Sequence, residues 1–171
     1  KVIAKGGTSS IFGEAIMWLK NSGIVNQVYK TTAELPLEMH KDLSSFKLYM
    51  SDVGLFVNKA RYPLYQVDLS QQPVMIAMGP LTENYVANEL RVKGYDLYYW
   101  ESDGKAELDF MIQKETDIMP IEVKTSVHTK ARSLDLYMKT YSPNYAVRIS
   151  EKNFGFENNI KSVPLYAVFC M

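Results

Sequence analysis

The stretch from Ala106 to Thr125, AELDFMIQKETDIMPIEVKT, limits the possible folds more than any other part of the chain. Two apolar runs of strand length flank a polar segment, so it reads as an antiparallel hairpin turning around residues 114–118. Its polar residues are oddly placed. Asp109 interrupts the first run, and Glu122 and Lys124 interrupt the second. Alternation puts Glu107, Asp109 and Met111 on one face of the first strand, with Leu108, Phe110 and Ile112 on the other. In the second strand Glu122 and Lys124 share a face, and Ile121 and Val123 share the opposite one. A turn at 114–118 brings Asp109 level with Glu122 to Lys124, although a slip of one residue would reverse the faces.

Two chemistries use such a set. One is a cross-strand ion pair in a half-exposed sheet. The other is a metal site that cuts phosphodiesters, which requires neutralised phosphate charge and a hydroxide-like nucleophile at neutral pH. Mg²⁺ supplies both and prefers oxygen ligands, with one or two carboxylates and several retained waters. On that reading Asp109 and Glu122 are the ligands, helped by the backbone carbonyl of Val123. Lys124 orients water or stabilises charge on the phosphate, and neighbouring carboxylates favour its protonated form. A third carboxylate comes from LTENYVANELRVKG, a helix expected to open at Thr82 or the preceding Pro80 and to close at Gly94. There Glu83 falls on the stripe of Val86, Ala87 and Leu90, where a carboxylate is costly unless paired, hydrogen-bonded or near a cation. Glu89 lies farther round, on the surface side.

Around this centre the second half reads as helix, three strands, helix, strand. YDLYYWES precedes the hairpin; the helix ARSLDLYMKTYS carries Leu134, Tyr137, Met138 and Tyr141 on one face; YAVRIS and VPLYAVF follow as strands. That order defines a mixed α/β sheet covered by helices. The first half opens with a helix from near Ser10 to Gly23 and a strand from Ile24 to Tyr29; FKLYMSDVGLF is a strand running into a short helix. A helix followed by two strands with a long connection suggests a small winged-helix-like segment over 1–70. The Pro-containing, aperiodic stretch 61–80 marks a junction near residue 70, with the second domain over 71–171.

The totals remove several classes. No run of about 18 apolar residues exists, so no membrane span is expected. One cysteine, Cys170, excludes a disulfide framework and fits a reducing, cytoplasmic compartment; with only His40 and His128 beside it, no zinc finger can form. Nineteen basic and nineteen acidic residues cancel, unlike a chain built to coat nucleic acid. Six cations, Lys124, Lys130, Arg132, Lys139, Arg148 and Lys152, nevertheless outnumber Asp135 and Glu151 between 124 and 152, a stripe compatible with phosphate contacts or with a solvated face.

AELDFMIQ and PIEVKTS after GPLTENYVANEL resemble the PD-(D/E)XK nuclease superfamily, whose fold is the restriction-endonuclease-like mixed sheet flanked by helices. Nearly the whole chain resembles the C-terminal region of prokaryotic AAA-type ATP-binding proteins, which pair a P-loop ATPase with a domain of unknown function ending in this nuclease-like core. EAIMWLKNSGIVNQVYKTTAELPLE and FKLYMSDVGL match the winged-helix-like portion; YYWESDGKAELDFMI, PIEVKTS and SLDLYMKTYSPNYAVRIS match the nuclease-like portion. The resemblance puts the helix acid on Glu83, the strand acid on Asp109 and the Glu-x-Lys pair on Glu122 and Lys124, with Mg²⁺ or Mn²⁺ as cofactor and DNA as substrate. GGTSSIFG lacks the P-loop lysine, so ATP is expected only on an N-terminal ATPase domain preceding Lys1. The competing expectation is a non-catalytic module that binds nucleic acid or docks to the ATPase or another protein.

Overall fold

The computed structural model describes residues 9–61, 73–102, 104, 106–125 and 132–171. The expected junction near residue 70 lies outside the described residues, as does Lys130 of the basic stripe. Helix α1 spans Ser9–Asn21 and β1 Val25–Thr31; a 3-10 helix over Leu37–His40 leads into β2, Lys41–Met50, and α2, Val53–Lys59. After α3, Pro73–Val92, come β3, Tyr98–Ser102, β4, Ala106–Lys114, and β5, Asp117–Val123. Then α4, Arg132–Tyr141, precedes β6, Ala146–Ser150, β7, Gly155–Glu157, β8, Ile160–Pro164, and a 3-10 helix over Leu165–Cys170.

Both glycine stops act as expected. Gly23 has φ +74°, and the Gly23 and Ile24 amides close back on the Lys20 and Leu19 carbonyls at 3.0 Å each. Gly94, at φ +85°, repeats the pattern: its amide reaches the Arg91 carbonyl at 2.9 Å and the Tyr95 amide reaches Leu90 at 3.3 Å. Each is a Schellman cap, which needs a left-handed residue and so favours glycine.

All eight strands form one mixed sheet in the order β2-β1-β3-β4-β5-β6-β8-β7. The strands of the first half therefore continue the sheet of the second, through parallel pairing of β1 with β3. One face packs Phe110, Ile112, Ile121 and Val123 against Val86, Ala87 and Leu90 of α3 and Ala167 and Val168 of the last 3-10 helix. The other packs Trp100, Leu108 and Met111 against Leu134 and Tyr137 of α4 and against Leu37. Trp100 meets Tyr137 and Tyr141 edge-on, with ring centroids 5.2 and 5.8 Å away.

Two elements differ from the sequence expectation. The spacing predicts that the long helix starts at Pro80 or Thr82; it starts at Pro73 and carries Pro80 inside. Proline at the first helical position costs nothing, whereas an interior proline forfeits a hydrogen bond, so Pro80 reads as a start when the sequence is taken alone. The tail VPLYAVF, expected as a strand, is divided. Its Val163 and Pro164 end β8, and Leu165–Cys170 winds into the 3-10 helix. Adjacent Ala167 and Val168 are both buried on the α3 face, which a strand with alternating faces would not deliver.

Candidate functional site

The two edges of the hairpin behave differently. Between β4 and β5 the register is regular from Lys114↔Asp117 to Phe110↔Ile121, with Glu115 in the left-handed region at the turn (φ +54°). Between β3 and β4 it shifts: Tyr98 pairs with Met111, but Trp100 pairs with Leu108. Two steps on β3 face three on β4, so Asp109 and Phe110 together oppose Tyr99 as a β-bulge. The face assignment made by simple alternation is thereby corrected. Leu108 packs with Met111 on the α4 side, while Phe110 and Ile112 pack on the α3 side. A bulge keeps its two residues on one side, which aims Asp109 with Phe110 toward α3 instead of with Met111.

Asp109 also caps the end of the regular ladder: its Oδ2 accepts the Val123 amide hydrogen at 2.7 Å. Burial raises the Asp109 pKa to about 8, followed by the charges of Glu83 and Glu122; the Val123 hydrogen bond and Lys47 pull it down. The shift records Glu83 and Glu122 each within electrostatic reach of Asp109.

Glu122 is 1% exposed in the middle of the sheet. Lys124 contacts its Oε1 directly, so these two residues share a face as alternation predicts. Its Oε2 is enclosed with no hydrogen-bond partner among the described residues. Arg148 of β6 stands in register beside Glu122, and the Nε of Arg148 is likewise enclosed and unpartnered. Burial pushes the Glu122 pKa up, while Lys124, Arg148 and Lys47 oppose the rise.

Glu83 projects from α3 toward β2. Its Oε1 receives Lys47 Nζ at 3.0 Å and is also the acceptor of the Tyr49 hydroxyl. Lys47 makes a second direct ion pair with Glu107. Burial alone would lower the Lys47 pKa, but Glu83, Glu107 and Asp109 outweigh it and hold the ammonium charged. Tyr49 is buried and has its pKa raised, first by burial and then by Glu83, so it stays a donor. The neighbouring Asn84 binds the end of β2 through both its amide atoms: Oδ1 accepts from Met50 N at 2.8 Å, and Nδ2 donates to Met50 O at 3.0 Å.

Of the four candidates, Glu83 and Glu122 both act electrostatically on Asp109, and Lys124 pairs directly with Glu122; each has a partner that fixes part of its geometry. Among the described residues, no group of three or more His, Cys, Asp or Glu side chains stands arranged to hold one ion. Lys47 and Tyr49 occupy Glu83 Oε1, and Lys124 occupies Glu122 Oε1. Asp109, with unfavourable like charge around it, and Glu122, through its unpartnered Oε2, are the carboxylates here least engaged by cations, and Glu83 could add only its other oxygen. Oxygen donors of this type, one or two carboxylates completed by waters, are those that Mg²⁺ prefers. Of the basic stripe, Arg132, Lys139 and Lys152 are exposed, while Arg148 is partly withdrawn beside Glu122.

Lys47 and Tyr49 are absent from the sequence-derived set. Period-two alternation in FKLYM places them on one face, and a lysine beside a buried tyrosine is the available signal. A recess of about 250 Å³, lined by Leu35, Ile118, Tyr137 and Tyr141, lies by the β4–β5 turn, and none of the four candidate residues lines it.

The domain of unknown function DUF4143 matches residues 78–168, so the chain belongs to that family. A second domain of unknown function, DUF8612, matches residues 1–63. Glu83, Asp109, Glu122 and Lys124 fall within the first match, Lys47 and Tyr49 within the second. No curated protein and no solved structure matches the chain. No described helix is long and apolar enough to cross a membrane.

Proposed function

We propose that this chain is a metal-dependent phosphodiester hydrolase acting on DNA, working in the cytoplasm as the C-terminal part of an ATPase-linked protein. On this reading residues 71–171 are a restriction-endonuclease-like core of the PD-(D/E)XK type, and residues 1–70 are winged-helix-like. The succession α3, β3, β4, β5, α4, β6 supports the first assignment. The observation that carries the function is the enclosed Glu122 carboxylate, with Oε2 unpartnered, beside the strained charge of Asp109.

Asp109, Glu122 and Glu83 would hold Mg²⁺ or Mn²⁺, which when bound supplies charge neutralisation on the phosphate and a more acidic water. The chain does the positioning. The Val123 amide orients Asp109, and Lys124 offers a cation next to Glu122 for charge that develops on the phosphate. The test is incubation with branched, single-stranded and duplex DNA plus Mg²⁺ or Mn²⁺, beside Glu122→Ala and Lys124→Ala. Cleavage by the parent chain and loss of about 10²-fold or more in both variants is expected. Equal cleavage by all three assigns the activity to a contaminant.

A second reading is a non-catalytic module that recognises nucleic acid or docks to an ATPase or another protein. It is favoured by the ion pairs Lys47–Glu83 and Lys124–Glu122, which already balance two of the acids. Calorimetric titration with Mn²⁺ separates the two: a folded chain that takes no metal at millimolar concentration supports the module.

A further inference from the structure

We propose that Lys47 is a resident counter-ion of the carboxylate cluster, competing with a divalent cation for Glu83 and so setting how tightly the site takes metal. The inference rests on the metal-site reading above and adds a residue from outside the region matched by DUF4143.

The geometry is specific. Lys47 Nζ lies 3.0 Å from Glu83 Oε1, touches Glu107, and sits 5.1 Å from the centroid of the Tyr99 ring. An ammonium has three donors, and two carboxylates with one aromatic face account for all three directions. The side chain is 23% exposed, so water contributes little to its solvation. Glu83 Oε1 already accepts from both Lys47 and Tyr49. For Glu83 to join Asp109 and Glu122 around one ion, through Oε1 or the other oxygen of the same carboxylate, a dication must come close to the ammonium held on Oε1, and like charges that near repel strongly in a partly buried setting. Lys47 thus stabilises the metal-free cluster and opposes its loading.

Calorimetric titration of Mn²⁺ into the full chain and into Lys47→Met, Lys47→Arg and the double variant Lys47→Met with Glu83→Gln tests this. Methionine keeps the length and apolar contact but removes the charge, so Lys47→Met should bind Mn²⁺ about tenfold more tightly. Lys47→Arg keeps the charge and should show no gain, and Glu83→Gln should cancel the gain of the methionine variant. Thermal melts give a second readout where the methionine variant is poorly folded without metal: its Tm should rise more on adding Mn²⁺ than that of the parent chain. Equal or weaker binding by Lys47→Met, with equal or smaller Tm rise, overturns the counter-ion role and leaves the metal site standing. Absence of Mn²⁺ binding in every folded variant and in the parent overturns both.

Discussion

Asp109 holds a carboxyl where being charged is costly. Its pKa is raised to about 8, through burial first and then through Glu83 and Glu122. A carboxyl whose folded pKa exceeds its unfolded value near 3.8 stabilises the fold in its protonated form. That contribution is complete below about pH 4 and disappears as pH rises through about 8. Stability of the metal-free chain should therefore fall across this window, a trend that Glu122, with its pKa also raised, shares. Asp109→Asn should flatten the fall and make the metal-free chain more stable at pH 8 by about 1–3 kcal/mol, read from urea unfolding at pH 5 and 8. The amide oxygen of the asparagine can still accept from Val123, so the ladder end stays closed. Adding Mn²⁺ should reverse the ranking, because the parent then gains a ligand that the variant lacks.

At the scale of single elements, α3 acts as a clamp on β2. Asn84 is 2% exposed and holds both the amide and the carbonyl of Met50, one position before Glu83 meets Lys47 and Tyr49 in the reverse direction along the helix. Asn84→Ala leaves those backbone groups without their partner and should cost about 1–3 kcal/mol in chemical denaturation. Much of this arrangement is legible in the amino acids. Glycine at 23 and 94 announces both helix ends, and the inward stripe of Glu83, Val86, Ala87 and Leu90 identifies the acid that faces the sheet. The bulge is not legible. Nothing in ELDFM distinguishes a regular strand from one that places Asp109 beside Phe110, because the extra residue is defined only against Tyr98 and Trp100 on the neighbouring strand. The grip of Lys47 on Glu83 is similarly hidden, since 36 residues separate the two along the chain.

For the molecule as a whole, the sheet runs without interruption through both matched segments. Val28 of β1 and Tyr49 of β2 belong to the same core as Phe110 and Ile121, and Leu37 belongs to the core under α4. Removing β1 and β2 would uncover the edge of β3 at Tyr98 and Tyr99 and strip Glu83 of Lys47 and Tyr49. A chain of residues 78–171 alone should accordingly lack a cooperative melt and be cut rapidly in limited proteolysis, whereas the full chain resists. A stable, cooperatively folding 78–171 fragment would show that β1 and β2 are dispensable additions to the sheet. The alternating pattern of each strand is readable locally, but the parallel pairing of β1 with β3 depends on a connection that brings Tyr29 to Tyr98 across the intervening chain.

Between Tyr98–Met111 and Trp100–Leu108, β4 carries one residue more than β3. Descent along this hairpin should therefore be lopsided: its letters can change singly, but loss of one codon at 109 or 110 would turn a flank of the strand inside out. Relatives are expected to vary here in spelling and to agree in count.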